Sequence, residues 1–231
     1  MLKKKAIFVF TLVSIISVMG LSAGDTASFV NLGFSPDGNT FIFGQYGVSS
    51  ANLRPWADLF IVDIPGNNFV SGGRINYSDA NPISAGQDGF NALLHIISQN
   101  NSFIQQHNVN FNLQGKPVFL ALDDGSQGSS IEFRDFENNF SYRAVLVPTI
   151  EGQGANLRSS FYIDLERISP SGSRVSYRVG TPQLRRPLIE SYRIRQVIVN
   201  PQNSSMIMVI EMRQRQGDSL NIRYMVEALR F

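Results

Sequence analysis

The sequence predicts a mainly β chain of the α+β kind, built from antiparallel sheets or a sandwich of propeller-blade-like hairpins with one main helix near residues 88–107. Three observations carry this. Short runs rich in β-branched and aromatic residues recur along the chain, separated by Gly, Pro, Asn and Ser. Hydrophobic residues make up 43% and charged residues 16%, a balance that supports a packed core and excludes a disordered chain. Helical spacing dominates in one stretch, where Phe90, Leu93, Leu94, Ile97 and Ile104 recur at intervals of three, four and seven.

Residues 1–23 read as an export signal. Lys3, Lys4 and Lys5 form a charged start, Ala6 to Met19 an apolar run, and Gly20 to Gly24 a small-residue cleavage region. The run of about 14 to 16 residues is shorter than the roughly 20 that span a bilayer, so cleavage after Ala23 or Gly24 is expected. No later run has spanning length, and residues 24–231 are expected to form a single β-rich secreted domain without a helical transmembrane span. Losing three lysines takes the formal charge from +2 to −1. The remaining positive charge is mostly arginine and lies beyond residue 125.

Strands are expected at Ser28 to Phe34, Asn39 to Val48 and Ala57 to Ile64. The helix follows at Asp88 to His107, with Asn100 and Asn101 weak enough in its middle to leave two shorter helices open. Further strands are expected at Pro117 to Leu122, Ile131 to Phe136, Phe140 to Thr149, Arg158 to Ile168, Arg174 to Val179, Tyr192 to Asn200, Met206 to Arg215 and Leu220 to Arg230. In the last two, Met206, Met208, Ile210 and Met212 share a face, as do Ile222, Tyr224, Val226 and Ala228. The opposite faces carry Glu211, Arg213, Arg215, Arg223 and Glu227, which predicts one buried and one wet face. The Asp123 to Ser130 loop, where the charge changes sign, is the one candidate for a soft division.

Phe34-Ser35-Pro36-Asp37-Gly38-Asn39-Thr40 is a turn sequence: Pro fixes φ, Asp bonds its own backbone and Gly accepts a positive φ. Asp37 is therefore expected to form the turn and to play no catalytic or ligand role. With Leu59 to Ile64 the segment resembles a blade of the secreted TolB-type propeller repeats. Val199-Asn200-Pro201-Gln202-Asn203-Ser204-Ser205 aligns on it without gaps, but two copies are too few for a closed propeller. Leu32 to Gly38, Phe43-Gly44-Gln45-Tyr46-Gly47-Val48 and the closing Gly217 to Met225 segment, with Arg223-Tyr224-Met225-Val226, resemble a family of predicted secreted bacterial proteins classed as a domain of unknown function (DUF2259-like). That resemblance implies secretion and a single domain, and adds no mechanism. Members often carry an acid where Gln45 stands, so no role of that acid carries over.

Most chemistry is excluded or disfavoured by residue type and spacing. With no cysteine there is no disulfide, thiolate metal site or cysteine nucleophile. His95 and His107, twelve residues apart, cannot share an ion if both sit on one helix. Asp123-Asp124-Gly125-Ser126 with Glu132 lacks the alternating ligands of a calcium loop. No nucleophile elbow, dinucleotide fingerprint or phosphate loop is present, and no cofactor or metal is expected. The near-neutral mature charge disfavours nucleic acid.

What remains is arginine. Arg185, Arg186, Arg193, Arg195, Arg213 and Arg215, with Arg178 and Arg223, are the candidate binding residues, and bidentate contact with carboxylate or phosphate is the chemistry they suit. Cross-strand pairing with Glu190, Glu211 and Glu227 is the competing reading.

The function expected is a non-enzymatic binding module of the envelope or periplasm, periplasmic or secreted, with an envelope component or protein as partner. The alternatives are an exported hydrolase using an acid pair such as Asp123 and Glu132, and a small outer-membrane β-barrel ending at Phe231. The intact mass of the exported protein tests the signal reading: the expected form has lost residues 1–23 or 1–24, and retention of Lys3 to Lys5 contradicts it.

Overall fold

The computed structural model describes residues 24–84, 86–122, 128–217 and 219–231; for Gln216 only the backbone is described. The export segment and Asp123 and Asp124 lie outside these residues.

The N-terminal sheet is a meander of β1 (Ser28–Phe34), β2 (Thr40–Val48), β3 (Pro55–Asp63) and β4 (Asn68–Ser78), paired in that order. The helical stretch follows as α1 (Phe90–Gln99) and α2 (Asn101–Gln106), divided at Asn100. The Asn100 side chain donates to the carbonyl of Ile96 at 2.7 Å, competing with the helical ladder. The chain continues through β5 (Lys116–Leu120), β6 (Ser130–Asp135), β7 (Phe140–Glu151), β8 (Arg158–Ile168), β9 (Arg174–Val179), β10 (Arg186–Pro187), β11 (Ile189–Val199), β12 (Ser205–Gln216) and β13 (Ser219–Arg230). Strands β6, β7 and β8 form the outer sheet, with β9 and β10 both on the free edge of β8. The central sheet has the order β13, β12, β11, β5. Its β5 precedes the loop at Asp123 to Ser130 and the rest follow it, so pairing of β5 with β11 spans that loop.

The sheets stack with the central one in the middle. On one face of it Ile194, Val197, Val199, Met206, Met208 and Ile210 pack with Tyr142, Ala144, Phe161, Ile163 and Leu165 of the outer sheet. On its other face Ile198, Ile207, Val209, Val226 and Ala228 pack with Phe34, Phe41, Phe43 and Val62 of the N-terminal sheet. Alternate residues of one strand thus enter two different cores, as the period of two in a β-strand requires. The N-terminal sheet is also covered twice. Ile42, Leu59 and Ile61 point away from the central sheet and meet Ala92, Leu93 and Ile96 of α1 and Ile104 of α2. Gly44 makes this approach possible, because a Cβ there would lie 2.5 Å from Leu93.

The two aligned turns have the same geometry. Ser35 N–H donates to the Thr40 carbonyl and Gly38 N–H to that of Ser35, at 2.9 Å each; Asn200 N–H donates to Ser205 at 3.0 Å and Asn203 N–H to Asn200 at 2.9 Å. Gly38 has φ +68° and Asn203 φ 57°, the left-handed conformation that Gly and Asn tolerate best. Gln202 Nε2 donates to the Pro36 carbonyl at 2.6 Å, so the turns lie against each other across the N-terminal and central sheets.

Three expectations are corrected. The wet face predicted for β12 and β13 is covered by a second sheet, and Glu211 and Glu227 are each 4% exposed. β4 was not expected, because Gly72-Gly73 and alternating polar residues mask it; a register shift between Phe60 and Val62 marks the irregular pairing there. The described strands form three open sheets in place of the one closed ring a membrane barrel needs. The Phe231 ring is one side of a sandwich in which the Arg167 guanidinium lies 4.0 Å from its centroid and 3.9 Å from that of Phe140.

Double coverage predicts a steep mutational contrast. Ile207→Ala and Met208→Ala, which open cavities in different cores, should each destabilise the fold by about 2–5 kcal/mol in denaturant unfolding. Val175→Ala, at an exposed site on β9, should change stability by no more than about 0.5 kcal/mol.

Candidate functional site

A cleft of about 550 Å³ opens where all three sheets converge. The N-terminal sheet contributes Gln45, Asp58, Phe60, Phe69 and Arg74, the central sheet Met212, Arg223, Tyr224 and Met225, and the β10 segment Arg185 and Arg186. Its apolar lining continues the core: Phe60 stacks on Phe43 at 4.6 Å between centroids and lies 5.4 Å from Phe69.

The buried polar groups at its base are matched. Gln45, 3% exposed, donates through Nε2 to Asp58 Oδ2 at 3.0 Å and accepts the Tyr224 N–H through Oε1 at 2.8 Å. Burial raises the Asp58 pKa above its ordinary value, against the Gln45 hydrogen bond and the attraction of Arg223 and Arg74. Burial lowers the pKa of Arg223, whose guanidinium lies 4.1 Å from the Trp56 ring and 3.5 Å from Asp25 Oδ2. Close by, Glu227 is also pushed up by burial, although Asn67 donates to it at 2.6 Å and Arg186 attracts it.

The candidate arginines separate into several settings. Arg193 pairs with Glu211 at 2.9 Å, with Arg213 at 3.7 Å from the same carboxylate, and Arg215 pairs with Glu190. Arg178 pairs with Asp164 at 2.8 Å on the outer sheet, and Arg195 donates to the Ala121 carbonyl at 3.1 Å. Arg185 pairs with Glu151 at 3.1 Å at the cleft rim. Two cleft arginines have no acid within 4 Å among the described residues. Arg74, exposed at the mouth, lies 5.4 Å from the Phe69 ring; Arg186 lies 5.1 Å from Phe161, and its Nη1 is buried without a hydrogen bond. Sequence reasoning named Arg185, Arg186 and Arg223 but missed Arg74, Asp58 and Gln45 as members of one site. A lone acid inside the apolar run Trp56 to Val62 was the available signal for Asp58.

The other candidates lie elsewhere. Glu132 is exposed and 4.0 Å from Arg143, on the far side of the outer sheet from its core. Its suggested partner Asp123 lies outside the described residues. His95 lies 4.4 Å from the Tyr77 ring at a 34° tilt and His107 meets Phe103 edge-on at 4.9 Å, on different helices. Among the described residues no three His, Cys, Asp or Glu side chains converge as a metal site would need. Asp37 accepts from Ser35 Oγ at 2.5 Å and from Asn39 N–H at 3.1 Å within its own turn.

Fold and cleft together define a mainly β protein of stacked antiparallel sheets with an arginine-rimmed inter-sheet cleft. A family model described as predicted secreted protein, the domain of unknown function DUF2259, matches residues 42–230, and the chain belongs to that family. It is accordingly an exported protein. Among curated proteins none matches the chain.

Opposed carboxylate shifts predict a peaked pH profile of stability. Asp37 and Asp135 are held below 3.8, Asp37 chiefly by Ser35, Asp135 by Asn138 and Lys116 against the effect of burial. Their stabilisation is present above 3.8 and lost as pH falls. Asp58 and Glu227 lie above 3.8 and 4.5, so the folded state keeps their protons longer and stability falls as pH rises through the raised values. Asp58→Asn and Glu227→Gln, which keep an acceptor for Gln45 and Asn67, should flatten that fall in urea unfolding series. Curves parallel to the wild type would contradict it.

Proposed function

We propose that the protein is a non-enzymatic binding module of the cell envelope, periplasmic or secreted once residues 1–23 are removed, and that it takes up its partner at the inter-sheet cleft. One observation carries the reading: Arg74 from the N-terminal sheet and Arg186 from the outer sheet line one cleft, and neither has an acid within 4 Å among the described residues. Arg178, Arg193 and Arg215 are each matched by a neighbouring carboxylate, and Arg134, Arg158 and Arg230, which have no ion pair among the described residues, donate to amide or carbonyl oxygens instead. Convergent polar groups over an apolar floor are the usual make-up of a binding site. Asp123 and Glu132, the pair considered for hydrolysis, have no observation in their favour.

Immobilised mature protein and its Arg74→Gln/Arg186→Gln double variant, incubated with envelope extract and eluted for mass spectrometry, test the reading. The expected result is an envelope component retained by the wild type and lost by the folded double variant. Identical eluates contradict the cleft as the binding site.

A further inference from the structure

Resting on that reading, we infer that the cleft takes one small amphiphilic anion, a carboxylate or phosphate head on an apolar body, which joins Arg74 to Arg186.

The charge at the cleft selects the head. Of its four arginines, Arg185 is engaged by Glu151 at 3.1 Å and Arg223 by Asp25 at 3.5 Å. Arg74 and Arg186 are the two without an ion pair inside 4 Å among the described residues, attracted only at longer range by Asp58 and Glu227. The buried Nη1 of Arg186 lacks an acceptor, and a guanidinium donor withdrawn from water is completed best by an anionic oxygen. A cation finds no equivalent site: Asp58, the cleft's acid, already accepts from Gln45 and is attracted by Arg223 and Arg74.

The walls select the body. Phe60 and Phe69 form one apolar surface, and Met212 and Met225 face the cleft from the central sheet. Methionine adapts to ligands of varied shape. The volume of about 550 Å³ suits a ligand of ordinary small-molecule size and excludes an engulfed polymer. The head lies between side chains of different sheets, so the ligand bridges the N-terminal and outer sheets across the central one.

Titration calorimetry of the full mature protein with octyl phosphate, octanoate, octyl glucoside, octyltrimethylammonium and inorganic phosphate tests the class. The two octyl anions should bind at least about tenfold more tightly than the neutral and cationic octyl compounds and than inorganic phosphate. Arg74→Gln and Arg186→Gln should each weaken octyl phosphate about tenfold, Arg186→Lys less, and Arg178→Gln on the outer sheet not at all. Melting curves confirm folding; if Arg186→Gln does not fold, Arg74→Gln and Arg186→Lys carry the test. Equal binding of octyl glucoside, or no binding of either octyl anion, overturns the anionic class. If the envelope component is still lost by the double variant, the cleft reading survives that failure; if it is not, both fall. Sedimentation with phosphatidylglycerol vesicles but no uptake of octyl phosphate assigns the charge to a membrane surface and overturns the engulfed ligand.

Discussion

The structure depends on one constraint: the central sheet is covered on both faces. From Met206 to Ile210 every side chain of β12 is fully buried, odd positions towards the N-terminal sheet and even ones towards the outer sheet. A strand in that setting must be continuously apolar, as it would be between layers of helices. Where the apolar run ends, at Glu211, the sheets must separate or match polar groups. Both happen. Glu211 takes Arg193, and the facing apolar positions Phe41 and Phe43 of β2 give way to Gln45, which bonds Tyr224 N–H across the gap. The cleft begins at that bond.

Polar cross-links fix how the sheets stack, because apolar faces alone tolerate sliding. Asn67 binds both Glu227 and the Ala228 N–H at 2.6 Å, tying the β3–β4 turn to β13. The segment before β1 runs parallel to β13: Ala27 N–H donates to the Ile222 carbonyl at 3.1 Å, and Ile222 N–H to that of Asp25 at 2.9 Å. This strap protects an edge that would otherwise be open to pairing with other chains. Burying Asp58 and Glu227 costs stability when they ionise, and on the seam between the N-terminal and central sheets each accepts a side-chain amide, from Gln45 and Asn67 respectively.

Local pattern made the strands legible, since alternation and turn residues report each hairpin's own faces. The identity of Asn203 with Gly38 in conformation was readable from the gapless alignment, because both residues accept a positive φ. Pattern fails where a second layer decides the outcome. The charges at 211, 213 and 215 resemble a wet face, and only the packing of a second layer over the strand leaves Glu211 buried. β4 escaped notice because its glycines suppress the β signal. The site was legible in fragments: adjacent Arg185 and Arg186 stood out, whereas Arg74 and Asp58 joined them only through contacts between sheets, which no periodicity encodes.

The central claim is that three sheets form one cooperative body held by β12. Native-state hydrogen exchange tests it most directly, because it reads the opening free energy of each strand. The account predicts that amides of β12 exchange only by global unfolding, with β2, β3, β7 and β8 sharing nearly the same free energy. Exchange of β1–β4 with α1 and α2 through a separate, lower-energy opening that leaves β11–β13 protected would contradict it.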